Sequence, residues 1–158
     1  MNNMSKSLVI YYSLQGHTKR VAEMIASKSG ADVFRIESEE DYNLGTVLDI
    51  SKQHIKNQHK PILKSSNLNI DDYDHIIIGT PVWWYTYVAP IRSFLQNHSL
   101  EGKTVRFFST HAGANGSTFT DLEELAIGAK ILEPRGFYTY ENFCWDTIEN
   151  EVSNWLDV

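Results

Sequence analysis

The sequence predicts an α/β fold: a three-layer sandwich in which a parallel sheet carries helices on both faces. Three observations support this. Short apolar runs alternate with helix-length amphipathic segments about five times along the 158 residues. The run Ile76-Ile77-Ile78 is apolar without alternation, as expected for a strand buried on both faces. The segments between runs are long enough for the right-handed crossovers that parallel neighbours require.

The elements follow in chain order. Leu8–Tyr12 is the first expected strand, and the helix after it spans Thr18–Ser29, with Val21, Met24 and Ile25 turned inward. Asp32–Ile36 is the second strand. The stretch from Asp41 to Asn69 is the least regular: Leu44–Lys56 fits a helix, Pro61 ends any continuation, and Ser65–Asp72 reads as a polar connection. His75–Gly79 is the third strand, followed by a helix over Ala89–Asn97 that buries Ile91, Phe94 and Leu95. Val105–Ser109 is the fourth strand, and Ser117–Ala126 is a helix offering Leu122 and Leu125. The fifth run starts at Lys130–Leu132 and continues towards Gly136–Tyr140. A terminal helix lines up Trp145, Ile148, Val152 and Trp155. No repeat or linker divides the chain, so residues 1–158 read as one domain.

Bulk properties exclude several classes. A net charge of −6 with no Lys/Arg cluster argues against a nucleic-acid surface. No apolar run reaches membrane-spanning length, and Met1–Ser7 lacks the apolar core of a signal peptide, so a cytoplasmic location is expected. Cys144, the single cysteine, precludes an intrachain disulfide or cysteine metal cluster, and packing beside Trp145 is its expected role. His54 and His59 show no partner pattern for a metal and read as surface residues; no metal site is expected. Asp71, Asp72 and Asp74 read as a solvated turn.

Ligands of open parallel sheets bind beyond the carboxyl ends of the strands. Three such ends carry suggestive loops. Ser13-Leu14-Gln15-Gly16-His17-Thr18 links the first strand to the first helix. Its N–H groups and the helix N-terminus converge as an anion site, Ser13 and Thr18 add hydroxyls, and Gly16 allows close approach. A phosphate is the natural occupant, although neither the Walker pattern nor the three-glycine dinucleotide fingerprint is present. An ordinary capped βα turn is the competing reading. His17 also reads as a solvated helix-end histidine. The second loop, Thr80–Pro90, holds Trp83, Trp84, Tyr85 and Tyr87, enough for a stacking wall against a planar ring, with core packing or a partner surface as the competing reading of the tryptophans. The third, "THAGANGS" over Thr110–Ser117, contains Gly113 and Gly116, which let main chain approach a flat ligand; taken alone it reads as a flexible glycine-rich turn, and only the three loops together describe a site for a phosphorylated, planar cofactor. His111 in this loop is either a ring-side donor or a structural histidine.

These segments resemble the flavodoxin family. "YYSLQGHTKRVAEMIA" resembles the FMN phosphate loop and first helix, "DYDHIIIGTPVWWYTYVAPIRSFL" the third strand and first flavin-flanking loop, and "FFSTHAGANGSTFTDLEEL" the fourth strand and second flanking loop. The middle segment is similar to the branch with Gly-Thr-Pro-x-Trp-Trp, and the short fifth strand matches the short-chain form. The resemblance implies a five-stranded sheet in order 2-1-3-4-5 with FMN at the first switch point, an arrangement for which flavodoxin is itself the standard example. It implies phosphate contacts from Ser13, Leu14, Gln15, Gly16, His17 and Thr18. Pro81, Val82, Trp83, Trp84 and Tyr85 would flank the isoalloxazine, and Thr110, His111, Ala112 and Gly113 would lie along its pyrimidine side. Gln15 stands where the family pattern has Thr. The expected function is low-potential electron transfer between redox partner proteins, a reductase and an acceptor; the alternative is an FMN-dependent NAD(P)H oxidoreductase acting on quinones or similar small acceptors.

Overall fold

The computed structural model describes residues 6–157; the polar start at Met1–Ser5, expected to lack a signal-peptide core, lies outside them. Six strands form one sheet: β1 (Ser7–Tyr11), β2 (Asp32–Arg35), β3 (His75–Pro81), β4 (Thr104–His111), β5 (Lys130–Ile131) and β6 (Arg135–Tyr138). The order is β2-β1-β3-β4-β5, with β6 also beside β4, and every pairing is parallel. Helices α1 (His17–Ser29), α2 (Val47–Lys56), α3 (Ala89–Asn97), α4 (Thr118–Leu125) and α5 (Trp145–Leu156) supply the crossovers and the closing element. A short 3-10 turn at Ile70–Asp72 interrupts the segment expected to be a plain polar connection, and it buries Ile70.

The expected fifth strand is split in two. Lys130–Ile131 pairs with Thr104–Val105, and Arg135–Tyr138 pairs with Phe108–His111. Pro134 stands between the halves, has no N–H to give the ladder, and constrains the residue before it. β3 and β4 run two residues further than the apolar runs suggested, to Pro81 and His111. That extension brings the two following loops to the same edge.

Alternation along the central strands fills two separate cores. Leu8, Ile10, Tyr12, Ile76, Ile78 and Phe107 face α3 and α4, where they meet Ile91, Phe94 and Leu122. Val9, Tyr11, Ile77 and Phe108 face α1 and α5, meeting Val21, Ile25, Ile148, Val152 and Trp155. Gly79 shows how tight this second layer is: a Cβ there would sit 2.0 Å from Phe108 Cζ. Lys28, on the same side of α1 as its apolar residues, reaches Glu149 of α5 at 3.5 Å. Cys144 is exposed, contrary to the expected packing role; its neighbour Trp145 makes the contacts instead, against Phe143 and His17. His17 is correspondingly half-buried rather than solvated. No helix among the described residues is long and apolar enough to cross a membrane.

Candidate functional site

A cavity of about 600 Å³ opens at the carboxyl ends of β1, β3 and β4, within the range typical of small-molecule and cofactor sites. Its lining divides into a polar end and an aromatic wall.

The polar end is the turn between β1 and α1. Ser13, Leu14, Gln15, His17 and Thr18 line it. Gly16 does not, but it shapes the turn: its φ of 105° is left-handed, and its N–H donates to Ser13 Oγ at 3.1 Å. Helix α1 begins immediately after, with no side-chain cap and no acidic residue in its first turn. The opening N–H groups of a helix have no intrahelical partner, so this end carries partial positive charge without an internal counterpart. Ser13 and Thr18 are buried, and Thr18 Oγ1 meets Thr110 Oγ1 at 2.7 Å, which ties the first loop to the end of β4. The Arg35 guanidinium donates to the Ser13 carbonyl at 2.9 Å and adds a positive charge behind the turn. Arg35 lies on β2, outside the three binding loops, so nothing local in the sequence marks it.

The aromatic wall is a two-residue hairpin. Trp83 and Thr86 exchange backbone hydrogen bonds of 3.1 and 3.3 Å, and the two residues between them, Trp84 and Tyr85, have φ of 55° and 65°. This is the geometry of a type I′ turn, normally built from Asn-Gly. Two bulky aromatics in the left-handed region are strained, each by about 1–2 kcal/mol. The adjacent tryptophans therefore separate. Trp83 turns inward, edge-on to Tyr12 and Tyr42 at centroid distances of 6.0 and 5.0 Å, while still lining the cavity. Trp84 sits at the turn and donates its indole N–H to Ser51 Oγ of α2 at 3.0 Å. Lys52 Nζ stands 4.9 Å from the Trp84 ring centre. Pro81, Val82, Trp84 and Tyr85 complete this side of the cavity. Tyr87, expected among the stacking residues, is buried in the α3/α4-side core instead, because the chain is already returning to α3.

The third loop contributes Thr110, Ala112, Gly113 and Ala114. His111 stands apart from the lining; its Nδ1 accepts the Gly113 N–H at 3.1 Å, and burial pushes its pKa below the ordinary imidazole value, so the ring is neutral near pH 7. Gly116 approaches the hairpin rather than the cavity. A Cβ there would lie 2.3 Å from the Tyr85 carbonyl oxygen, and Ser117 N–H donates to that same oxygen at 2.8 Å. Asp121 of α4 then accepts from both Thr86 Oγ1 at 2.6 Å and Ser117 Oγ at 2.7 Å. The two loops are thus stapled together by one carboxylate. Asp121→Asn is expected to cost about 1 kcal/mol, because it turns two charge-assisted hydrogen bonds into weaker neutral ones, and the midpoint of denaturant unfolding reads this directly.

Helix α2 and the residues before it close the cavity with Leu44, Val47, Leu48 and Ser51. In the sequence these residues mark a helix, with no local sign of a part in the site. Leu44, Leu48 and Tyr85 are each more than two-thirds exposed, at 68%, 69% and 68%, and Trp84 is 40% exposed, so the mouth of the cavity is apolar. Behind the wall, Tyr12 donates to Asp41 Oδ1 at 2.8 Å. Burial, followed by the neighbouring carboxylates Asp41 and Glu40, pushes the Tyr42 phenol up to about 12, so it is a neutral hydroxyl at any physiological pH.

His54 and His59, expected at the surface with no partner pattern for a metal, are placed differently by the fold. Both are half-buried, their rings lie 4.1 Å apart at 32°, and Glu40 joins them. Folding back of the chain after α2, which spacing alone does not reveal, brings them together.

Comparison with known proteins agrees with this architecture. A candidate flavoprotein of Bacteroides eggerthii DSM 20697 is 30% identical, with a TM-score of 0.82 over 98% of this chain and 97% of that one. A second, from Bacteroides uniformis ATCC 8492, is 23% identical, with a TM-score of 0.84 over 98% and 99%, and shows the shared fold. A Lactobacillus acidophilus NCFM flavoprotein, crystallised in complex with FMN, is 27% identical, with a TM-score of 0.74 over 97% and 99%. The family model described as Flavodoxin matches residues 6–155, from just before β1 almost to the end of α5, and the chain belongs to the flavodoxin family.

Proposed function

We propose that this chain, acting as a single domain of the Gly-Thr-Pro-x-Trp-Trp branch, binds FMN and carries electrons at low potential between a reductase and an acceptor protein. One observation carries the reading: a single cavity ends on an uncapped, acid-free helix N-terminus with two buried hydroxyls and is walled elsewhere by aromatic and apolar side chains. That polarity suits a ligand with a phosphate at one end and a flat apolar ring system at the other. The FMN complex of the 27%-identical Lactobacillus protein supports the same ligand. The bound flavin supplies one- and two-electron redox chemistry.

The protein residues have three tasks in this reading. Ser13, Thr18 and the first-turn N–H groups of α1 hold the phosphate dianion, with Arg35 supporting the turn from behind. Trp83, Trp84 and Tyr85 keep water from the ring, and their apolar surface together with the net charge of −6 disfavours added negative charge on it. That opposes full reduction and lowers the potential. The exposed apolar mouth formed by Leu44, Leu48, Trp84 and Tyr85 lets a partner approach.

An anaerobic mixing experiment tests the carrier role. The flavin-loaded protein is expected to stay yellow with NADPH or NADH alone and to bleach when a flavodoxin reductase is added. Direct bleaching at a catalytic rate, with turnover of a quinone, would replace the carrier by a reductase of small acceptors.

A further inference from the structure

We propose that Glu40, His54 and His59 form a binding site for a divalent transition-metal ion of the zinc class, separate from the cavity above. One potential ligand atom from each residue lies within 4.8 Å of the other two. His59 Nε2 is shielded from solvent, has no hydrogen-bond partner among the described residues, and stands 4.0 Å from Glu40 Oε2. A sequestered nitrogen facing a carboxylate is the arrangement that a cation between them would complete.

The local fold explains the pairing. Helix α2 ends in a Schellman motif: His59 N–H donates to the His54 carbonyl at 2.8 Å, Gln58 N–H donates to the Ile55 carbonyl at 3.2 Å, and Gln58 takes a left-handed φ of 52°. In this motif the two residues joined by the bond that spans six residues, here His54 and His59, frequently make an apolar side-chain contact. Here both are histidines, their rings 4.1 Å apart. Glu40 arrives from the segment after β2, where Ser38 Oγ donates to its carbonyl at 2.9 Å and Ser38 bridges to Leu63. The Tyr42 hydroxyl meets His54 Nδ1 at 2.9 Å, an outer contact of the kind that fixes the orientation of a ligating imidazole.

The donor set selects the ion. Two imidazoles and one carboxylate suit zinc and its first-row neighbours, whereas calcium and magnesium prefer oxygen alone. Donors around tetrahedral zinc lie roughly 3.3 Å apart, given metal–ligand bonds near 2.0–2.1 Å. The cluster must therefore close by about an ångström, and the Glu40 side chain, 63% exposed, is free to make that movement. Three protein ligands leave the fourth position to water. The ion would tie the last turn of α2 to the segment that precedes it.

The test is calorimetric titration of Zn²⁺ into the tag-free, chelator-washed full chain, with Mg²⁺ as a control and Co²⁺ absorption as a second readout. One equivalent of Zn²⁺ is expected to bind with micromolar or tighter affinity, Mg²⁺ to give no binding, and Co²⁺ to develop the visible bands of a tetrahedral site. His54→Ala and His59→Ala should each weaken Zn²⁺ binding at least about tenfold, and Glu40→Gln should weaken it while leaving the histidine pair intact. His98→Ala, which alters a ring stacked on Phe94 far along the chain, should leave it unchanged. Circular dichroism identifies any variant that fails to fold; Glu40→Gln, changing an exposed side chain, then decides the case. Absence of stoichiometric Zn²⁺ binding, or affinity unchanged in Glu40→Gln and both histidine variants, overturns the site. None of these readouts depends on flavin.

Discussion

Riboflavin is expected to bind at least about a hundredfold more weakly than FMN, and Thr18→Ala is expected to narrow that gap by weakening FMN more than riboflavin. The phosphate would meet the open N-terminus of α1 and the hydroxyls of Ser13 and Thr18, and each hydrogen bond to a charged group contributes about 1.5–3 kcal/mol. Two such bonds already give a hundredfold or more. Thr18→Ala removes one, a loss of roughly ten- to hundredfold in FMN affinity. Riboflavin lacks the phosphate, so this loss does not reach it. Thr18 also bonds to Thr110 Oγ1 at 2.7 Å, so some loosening of the β4 end is expected, and this second effect would fall on both ligands equally. Fluorescence titration of parent and variant with both flavins separates the two. Equal weakening of FMN and riboflavin would make Thr18 a purely structural residue, and equal parental affinities would remove the phosphate from the polar end altogether.

The parts of this site that sequence could show are those encoded locally. A glycine between two hydroxyl residues, at the join of an apolar run and an amphipathic one, marks the first turn without any knowledge of the fold. The aromatic and glycine loops are legible in the same way, because each directly follows a buried strand. What sequence could not show depends on contacts between distant segments. Gly116 looked suited to approaching a ligand, yet its missing Cβ makes room for the Tyr85 backbone. Leu48 and Ser51 looked like ordinary positions of a helix, and only the packing of α2 beside the hairpin makes them cavity wall. The division of the fifth strand on either side of Pro134 depends on its two separate registers against β4, which only the sheet itself defines. The helix-end pairing of His54 and His59 depends on a left-handed Gln58, a conformation that residue type does not announce.

Tyr85→Gly is expected to make the flavin-free protein more stable and its flavin complex weaker. Tyr85 has a φ of 65°, and its side chain is 68% exposed, so it carries the strain of the left-handed region with little burial in return. Glycine adopts that region freely, but it also gains entropy in the unfolded chain. The net gain is therefore about 0.5–1 kcal/mol, visible as a raised melting temperature of the apoprotein. Trp84→Ala should behave differently. It keeps a Cβ in the left-handed region and loses the indole hydrogen bond to Ser51 at 3.0 Å and the contact with Lys52, so the apoprotein becomes less stable. Both substitutions remove aromatic cavity wall, and each should weaken oxidised FMN by about 1–3 kcal/mol. Stacking favours the electron-poor oxidised ring, so its loss should also raise the flavin's reduction potential, which potentiometric titration measures. Opposite signs of stability change with the same sign of affinity change would show a turn held in an unfavourable conformation for the sake of its ligand. If Tyr85→Gly instead destabilises the apoprotein and leaves FMN affinity unchanged, the hairpin is a structural turn supported by the Gly116 and Asp121 contacts, and the wall against the ring must come from Trp83 and the Thr110–Gly113 loop.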